Sequence, residues 1–182
     1  RVELKVVPLK LDVPTKDFTE EEALSEAELC AELSTGAQAV NPDADILILG
    51  EMGIGNSTIS SALAASVFGG DVARWVGAGT GADAVGIANK QAVIETGLAK
   101  YGARSDLGAL LAFGGREQAA ICGAILAARS LRIPVLLDGF ICTAAAAPLF
   151  GLAQASLDHC LVGHMSAEPG HQHLLAAIGK TA

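Results

Sequence analysis

Leu47-Ile48-Leu49-Gly50-Glu51-Met52-Gly53-Ile54-Gly55-Asn56-Ser57-Thr58-Ile59-Ser60 is the stretch on which the rest of the chain turns. The apolar run Ile46 to Leu49 predicts a strand buried on both faces. It breaks into a glycine-rich turn, and Asn56-Ser57-Thr58 then offers helix N-cap candidates ahead of the alanine-rich run Ser60 to Val67. A strand, a glycine turn and a helix N-terminus together suit an anion, because glycines let backbone amides approach it and the helix dipole favours negative charge. Gly50 to Ser57 has the spacing of a nucleoside-triphosphate P-loop, but Asn56 stands where that loop needs its lysine. Gly53-x-Gly55 opens like a dinucleotide fingerprint, yet Thr58 replaces the third glycine. An ordinary tight turn is the remaining alternative, and Glu51 is an odd choice for one.

Working outward, the composition agrees with a layered α/β protein. The 182 residues are 51% hydrophobic and 4% aromatic, with 21 glycines, and they suit one α/β unit spanning residues 1–182. A net charge of −8 argues against a nucleic-acid surface, so a bound phosphate must meet a local positive feature. No apolar run reaches the ~20 residues that cross a bilayer, and the expectation is a cytoplasmic protein away from membranes. Cys30, Cys122, Cys142 and Cys160 are widely spaced without a C-x-x-C pair, as expected of reduced thiols.

Before the central stretch, Val2, Leu4 and Val6 alternate with Glu3 and Lys5, predicting a strand over Arg1 to Pro8. Ser25-x-x-Glu28 fits a capping box, as does Thr19-x-x-Glu22. Ser25 is preferred, with a helix to about Ala37 that buries Cys30, Leu33 and Ala37 and turns its acidic residues to water. Beyond the central stretch comes a second glycine cluster, Gly77-Ala78-Gly79-Thr80-Gly81, followed by a helix from Asp83 to about Lys100. Lys90 lies two turns into it, placed either to reach back to a ligand or to face solvent. Ser105 to Phe113 predicts a short helix. Gly114-Gly115 opens another to about Arg129, with Glu117 placed for capping its first turn. A strand in Arg132–Phe140 puts Asp138 and Gly139 at a carboxyl edge, where open parallel sheets bind ligands. A small-residue helix, Ile141 to Leu149, and a strand, Leu157 to Val162, follow. The exit loop Gly163 to Gly170 carries His164, Ser166 and Glu168, and a helix to Ile178 closes the series. Alternating strands and helices imply a parallel sheet wrapped by helices, with the polar residues on one rim.

Five motifs in order then carry a family resemblance: GEMGIGNST, GAGTG with a lysine nine residues on, GG-x-E-x-A-A, RIPVLLDGF-x-x-T-A-A-A and H-x-S-A-E-P-G-H. From Arg1 to Ile178 the chain resembles nicotinate-nucleotide:dimethylbenzimidazole phosphoribosyltransferase, of the pathway to the lower ligand of cobalamin. The resemblance implies a three-layer, Rossmann-like, doubly wound and mainly parallel sheet, and a homodimer. It implies transfer of 5-phosphoribosyl from nicotinate mononucleotide to a benzimidazole-type base, with no cofactor and no metal. Glu51, Gly53, Gly79, Gly81, Lys90 and Ser166 would then hold the nucleotide, with Gly55 and Asn56 in the same anion loop and Asp138 and Gly139 on the same rim. Glu51 is the catalytic candidate, because a carboxylate stabilises positive charge growing at the ribose C1; the alternative is a hydrogen bond to a ribose hydroxyl. His159, His164, His171 and His173 are read as capping and loop hydrogen-bonding residues. The resemblance also implies an N-terminal segment ahead of Arg1 and a glycine-rich stretch, bearing a general-base glutamate, after Ala182. No residue of this chain matches that glutamate. A pentosyltransferase and a nucleotide-binding or assembly module that keeps only the phosphate site therefore both stay open.

Overall fold

The computed structural model describes residues 2–182. Its first regular element is α1 (Glu26–Ala39), started by the expected box: the Ser25 hydroxyl accepts from the Glu28 amide, and the Glu28 carboxylate accepts from the Ser25 amide at 3.0 Å. Such a cap is worth about 1 kcal/mol. The buried face of α1 is nevertheless Leu29, Glu32 and Gly36, while Cys30 is exposed. The neighbour responsible is α5 (Arg116–Leu131), which lies along α1. A Cβ at Gly36 would overlap the backbone of Ala120, and one at Gly123 would overlap the backbone of Leu33, so the two helices touch main chain to main chain. Arg116, 4% exposed, pairs there with Glu28 at 3.0 Å and Glu32 at 3.2 Å. The acidic face predicted to meet water is thus partly drawn inward by a buried guanidinium.

Strand β1 (Leu47–Leu49) leads through the glycine turn into α2 (Asn56–Phe68). After a 3-10 turn at Val72–Arg74 come α3 (Ala84–Tyr101), α4 (Gly108–Phe113) and then α5. Strand β2 (Val135–Leu137) follows, then α6 (Gly139–Leu152), β3 (Cys160–Val162) and α7 (Pro169–Ile178). The three strands are parallel in the order β1-β2-β3, with Ile48 beside Leu136 and Leu136 beside Leu161. The mixed α/β class and the helix-flanked parallel sheet expected from the sequence are what the structure has.

Right-handed crossovers that step the same way across a sheet lay their helices on the same face. Val135, Leu137, Cys160 and Val162 are accordingly buried. On the opposite face Ile48 is 58% exposed and Leu161 60%. This corrects the expectation that the first strand is buried on both sides. The strand predicted at the N-terminus is also absent among the described residues; Arg1 lies outside them. Val2, Leu4 and Val6 are exposed without regular structure, and no strand among the described residues pairs with them. The core is one continuous cluster, joining Leu63, Trp75, Phe113, Ile125, Leu137 and Leu174.

Candidate functional site

All three strands end on the same side, and the loops leaving them form a rim. The first corner is Gly50 to Gly55. Gly55 is itself the N-cap of α2 in a left-handed conformation, φ +83°, where glycine carries no steric cost. The Asn56 side chain, expected as a cap candidate, is instead buried and donates from Nδ2 to Oε2 of Glu51. Glu117, in the first turn of α5, reaches this loop as well: a Cβ at Gly53 would collide with its Oε1 and with the Asn56 amide. Burial pushes the Glu51 carboxyl above its ordinary range, the Asn56 hydrogen bond opposes the rise, and the charges of Glu117 and Asp138 add to it.

The second corner is Gly77 to Gly81. Asp83 caps α3 by accepting from the Gly86 amide at 2.8 Å, and that helix delivers Lys90 back to the rim. Lys90 Nζ donates to Ser57 Oγ at 2.9 Å and to the Gly77 carbonyl at 3.3 Å. The Lys90 side chain thus turns back onto the glycine corner and the start of α2. Gly79 has φ +59°, and a Cβ on it would stand 2.8 Å from Ser57 Oγ and 2.9 Å from Lys90 Nζ. The first and second corners therefore meet at Gly79. Gly81, φ +122°, faces open space.

The third corner joins the ends of β2 and β3. Asp138 caps α6 by position, and Gly139 follows with φ +43°; a Cβ there would lie 3.1 Å from the His164 ring and 3.6 Å from Ser166 Cβ. His164 Nδ1 stands 3.2 Å from Asp138 Oδ1, both side chains being more than half exposed. Behind them the Thr143 hydroxyl donates to the Gly139 carbonyl at 2.6 Å and lies 3.3 Å from His171 Nε2. His171 Nδ1 accepts from the Ser166 amide at 2.9 Å. With the Thr143 proton committed to Gly139, Nε2 is the protonated nitrogen of a neutral ring. Burial lowers the His171 pKa, and His164 lowers it further. Glu168 closes the rim by accepting from the Gly79 amide at 2.7 Å.

The rim thus gathers Glu51, Gly53, Gly55, Asn56, Gly79, Gly81, Lys90, Asp138, Gly139 and Ser166 on one side of the sheet. Ser57, Glu117, Thr143 and His171 belong with them, although the sequence reading gave them only capping, packing or loop roles. The available signal was a threonine and a histidine inside apolar helices, since a buried polar group needs a partner. His159 bonds the Ile125 carbonyl at 3.1 Å, in keeping with a loop role. Among the described residues no three metal-ligating side chains cluster. Glycine turns, Lys90 and Ser57 suit a phosphate, while Glu51 and Glu117 suit positive charge beside it.

Known proteins give this rim a context. The chain is 57% identical over 180 residues to nicotinate-nucleotide–dimethylbenzimidazole phosphoribosyltransferase of Rhodobacter capsulatus, covering 99% of this chain and 54% of that protein. It is 57% identical to the protein of that name from Roseobacter denitrificans, covering 97% of this chain and 53% of the relative. The chain thus spans about half the length of the curated relatives it matches. Among solved structures, CobT from Thermus thermophilus superposes with a TM-score of 0.83 at 34% identity, over 92% of this chain and 52% of its own. The family model DBI_PRT, described as phosphoribosyltransferase, matches residues 1–182, and the chain belongs to that family.

Proposed function

We propose that this chain, as one α/β unit of residues 1–182, binds nicotinate mononucleotide at the rim and serves transfer of its 5-phosphoribosyl group to a benzimidazole-type base. In that reaction the bond from ribose C1 to the nicotinate nitrogen breaks, and its electron pair stays on nicotinate. The lone pair of an acceptor nitrogen forms the new bond to C1, and the acceptor gives up a proton. The observation that carries the reading is the meeting of Lys90, Ser57 and Gly79, which supplies a cation and a hydroxyl at a spot kept open by a missing side chain. On a chain of net charge −8 a dianionic phosphate needs such a spot. Glu51 is the group for charge at C1, because a fixed carboxylate favours the oxocarbenium-like transition state over the ground state. The names of the relatives support the choice of nucleotide and base.

The same reading carries a homodimer and a cytoplasmic setting. The family resemblance supports the first, and four unpaired cysteines support the second.

The test is titration calorimetry with nicotinate mononucleotide, followed by an assay of nicotinate release with and without dimethylbenzimidazole. Lys90→Ala should weaken nucleotide binding about 10- to 100-fold, the loss of a charge-assisted hydrogen bond. Unchanged affinity removes Lys90 from the phosphate site. Binding without release leaves a nucleotide-binding module.

A further inference from the structure

Loop 77–81 has little to hold it. Gly79 and Gly81 both have positive φ, and the loop's own hydrogen bonds are local, from the Gly81 and Ala82 amides to the Ala78 carbonyl. Among the described residues its distant side-chain ties are two: Lys90 to the Gly77 carbonyl, and the Gly79 amide to Glu168, 89 residues away. Glu168 is itself fixed on both sides. Its amide donates to Ser166 Oγ at 3.2 Å, and Pro169 begins α7 immediately after it. The Glu168–Pro169 pair lies flat on Gly77, where a Cβ would collide with Glu168 Oε2 and stand 2.7 Å from the proline ring. A Cβ at Gly170 would stand 2.6 Å from the Trp75 carbonyl, so the start of α7 is seated on the segment leading into the loop. Glu168 Oε2 is buried without a partner, which leaves Oε1 as the working atom.

We propose that Glu168 is a positioning residue for the nucleotide site: its Oε1 clamps the Gly79 amide and so locks the second glycine corner onto the exit loop of β3. The clamp works through hydrogen-bond acceptance rather than through charge. Because it occupies the Gly79 amide, what Gly79 offers a phosphate is its absent side chain, the space in which Lys90 Nζ and Ser57 Oγ stand. When a phosphate engages Lys90, the Glu168 tie is the one that keeps the loop in register.

The role in binding rests on the nucleotide reading above; the clamp itself does not, and the experiment separates them. Hydrogen exchange at the Gly79 amide is measured without ligand in wild type, Glu168→Ala and Glu168→Gln, with Ile94 in α3 as an internal reference. Glu168→Ala should speed Gly79 exchange at least about tenfold and leave Ile94 unchanged. Glu168→Gln, whose amide oxygen still accepts, should stay within about threefold of wild type. Calorimetry with nicotinate mononucleotide should rank the three the same way, with about a tenfold weaker Kd for Glu168→Ala only. Unchanged Gly79 exchange in Glu168→Ala overturns the clamp, and a fall of Glu168→Gln with Glu168→Ala overturns the acceptor role. Should Glu168→Ala melt globally, shown by fast exchange at Ile94, Glu168→Gln decides: wild-type exchange and affinity support the proposal, and loss of both overturns it. A wild-type protein that binds no nucleotide removes the function proposed above, and the exchange arm still decides the clamp.

Discussion

At the residue scale, one carboxylate illustrates how the rim divides its work. Glu51 is half-buried, pushed toward protonation chiefly by burial, and held by the Asn56 amide while Glu117 and Asp138 crowd it. A carboxylate in that state gains most when positive charge develops beside it, so its value is greater in the transition state than in the bound ground state. Glu51→Gln should therefore lower nicotinate release about 10²-fold while nucleotide affinity stays within about threefold. An affinity loss that equals the rate loss would assign Glu51 to ground-state binding instead. Lys90 was visible in the sequence as a reach of two turns from a glycine cluster. Asn56 does not cap α2, because Gly55 takes the cap with positive φ and the Asn56 amide turns to Glu51, neither of which local capping rules foresee.

At the element scale, the contact between α1 and α5 sets the back of the molecule, and it is built on glycine. Gly123→Ala should destabilise the protein by about 2 kcal/mol or more, read as a shift of the urea midpoint, because the added methyl meets the Leu33 backbone rather than a yielding side chain. A neutral result would mean that the helices slide apart at little cost. This crossing also shows where sequence patterning stops. Hydrophobic periodicity selected Cys30, Leu33 and Ala37 as the buried face, whereas Leu29, Glu32 and Gly36 are buried. Glycine carries no apolar signal, and Glu32 goes inward because Arg116, far away in sequence, is there to receive it. Most helix starts and stops, by contrast, were legible from local chemistry. The Ser25–Glu28 box and the run of α3 from Asp83 to about Lys100 are written in a few adjacent residues. The N-terminal alternation read as a strand has no partner strand among the described residues, and a partner is what no local pattern supplies.

At the scale of the whole molecule, His171 and Glu28 each give stability a window of pH dependence. His171 is neutral in the fold and its pKa is lowered, so the unfolded chain binds a proton more readily. Its contribution is full above 6.5, the ordinary histidine value, and is lost as pH falls from there toward the lowered one. Glu28 acts further down: hydrogen bonds from the Ser25 amide and hydroxyl, then Arg116, hold its carboxyl at about 2 against an ordinary 4.5. Its contribution is present above 4.5 and disappears as pH drops toward 2. Melting temperature should thus fall between neutral pH and pH 5, and His171→Asn should flatten that slope; an unaltered slope would place the titration elsewhere. The sheet register carries a last consequence, for the order of events during synthesis. Val135 in β2 pairs with Leu47 on one side and with Cys160 on the other. One α-helix, α6, and a 3-10 turn at Gln154–Leu157 separate β2 from β3, but four α-helices and a 3-10 turn separate β1 from β2. Closing the longer loop costs more chain entropy. On the ribosome β1 emerges before β2 and cannot pair with it until all four helices have been made, so Glu51 comes to lie near Asp138 only when that wide loop shuts.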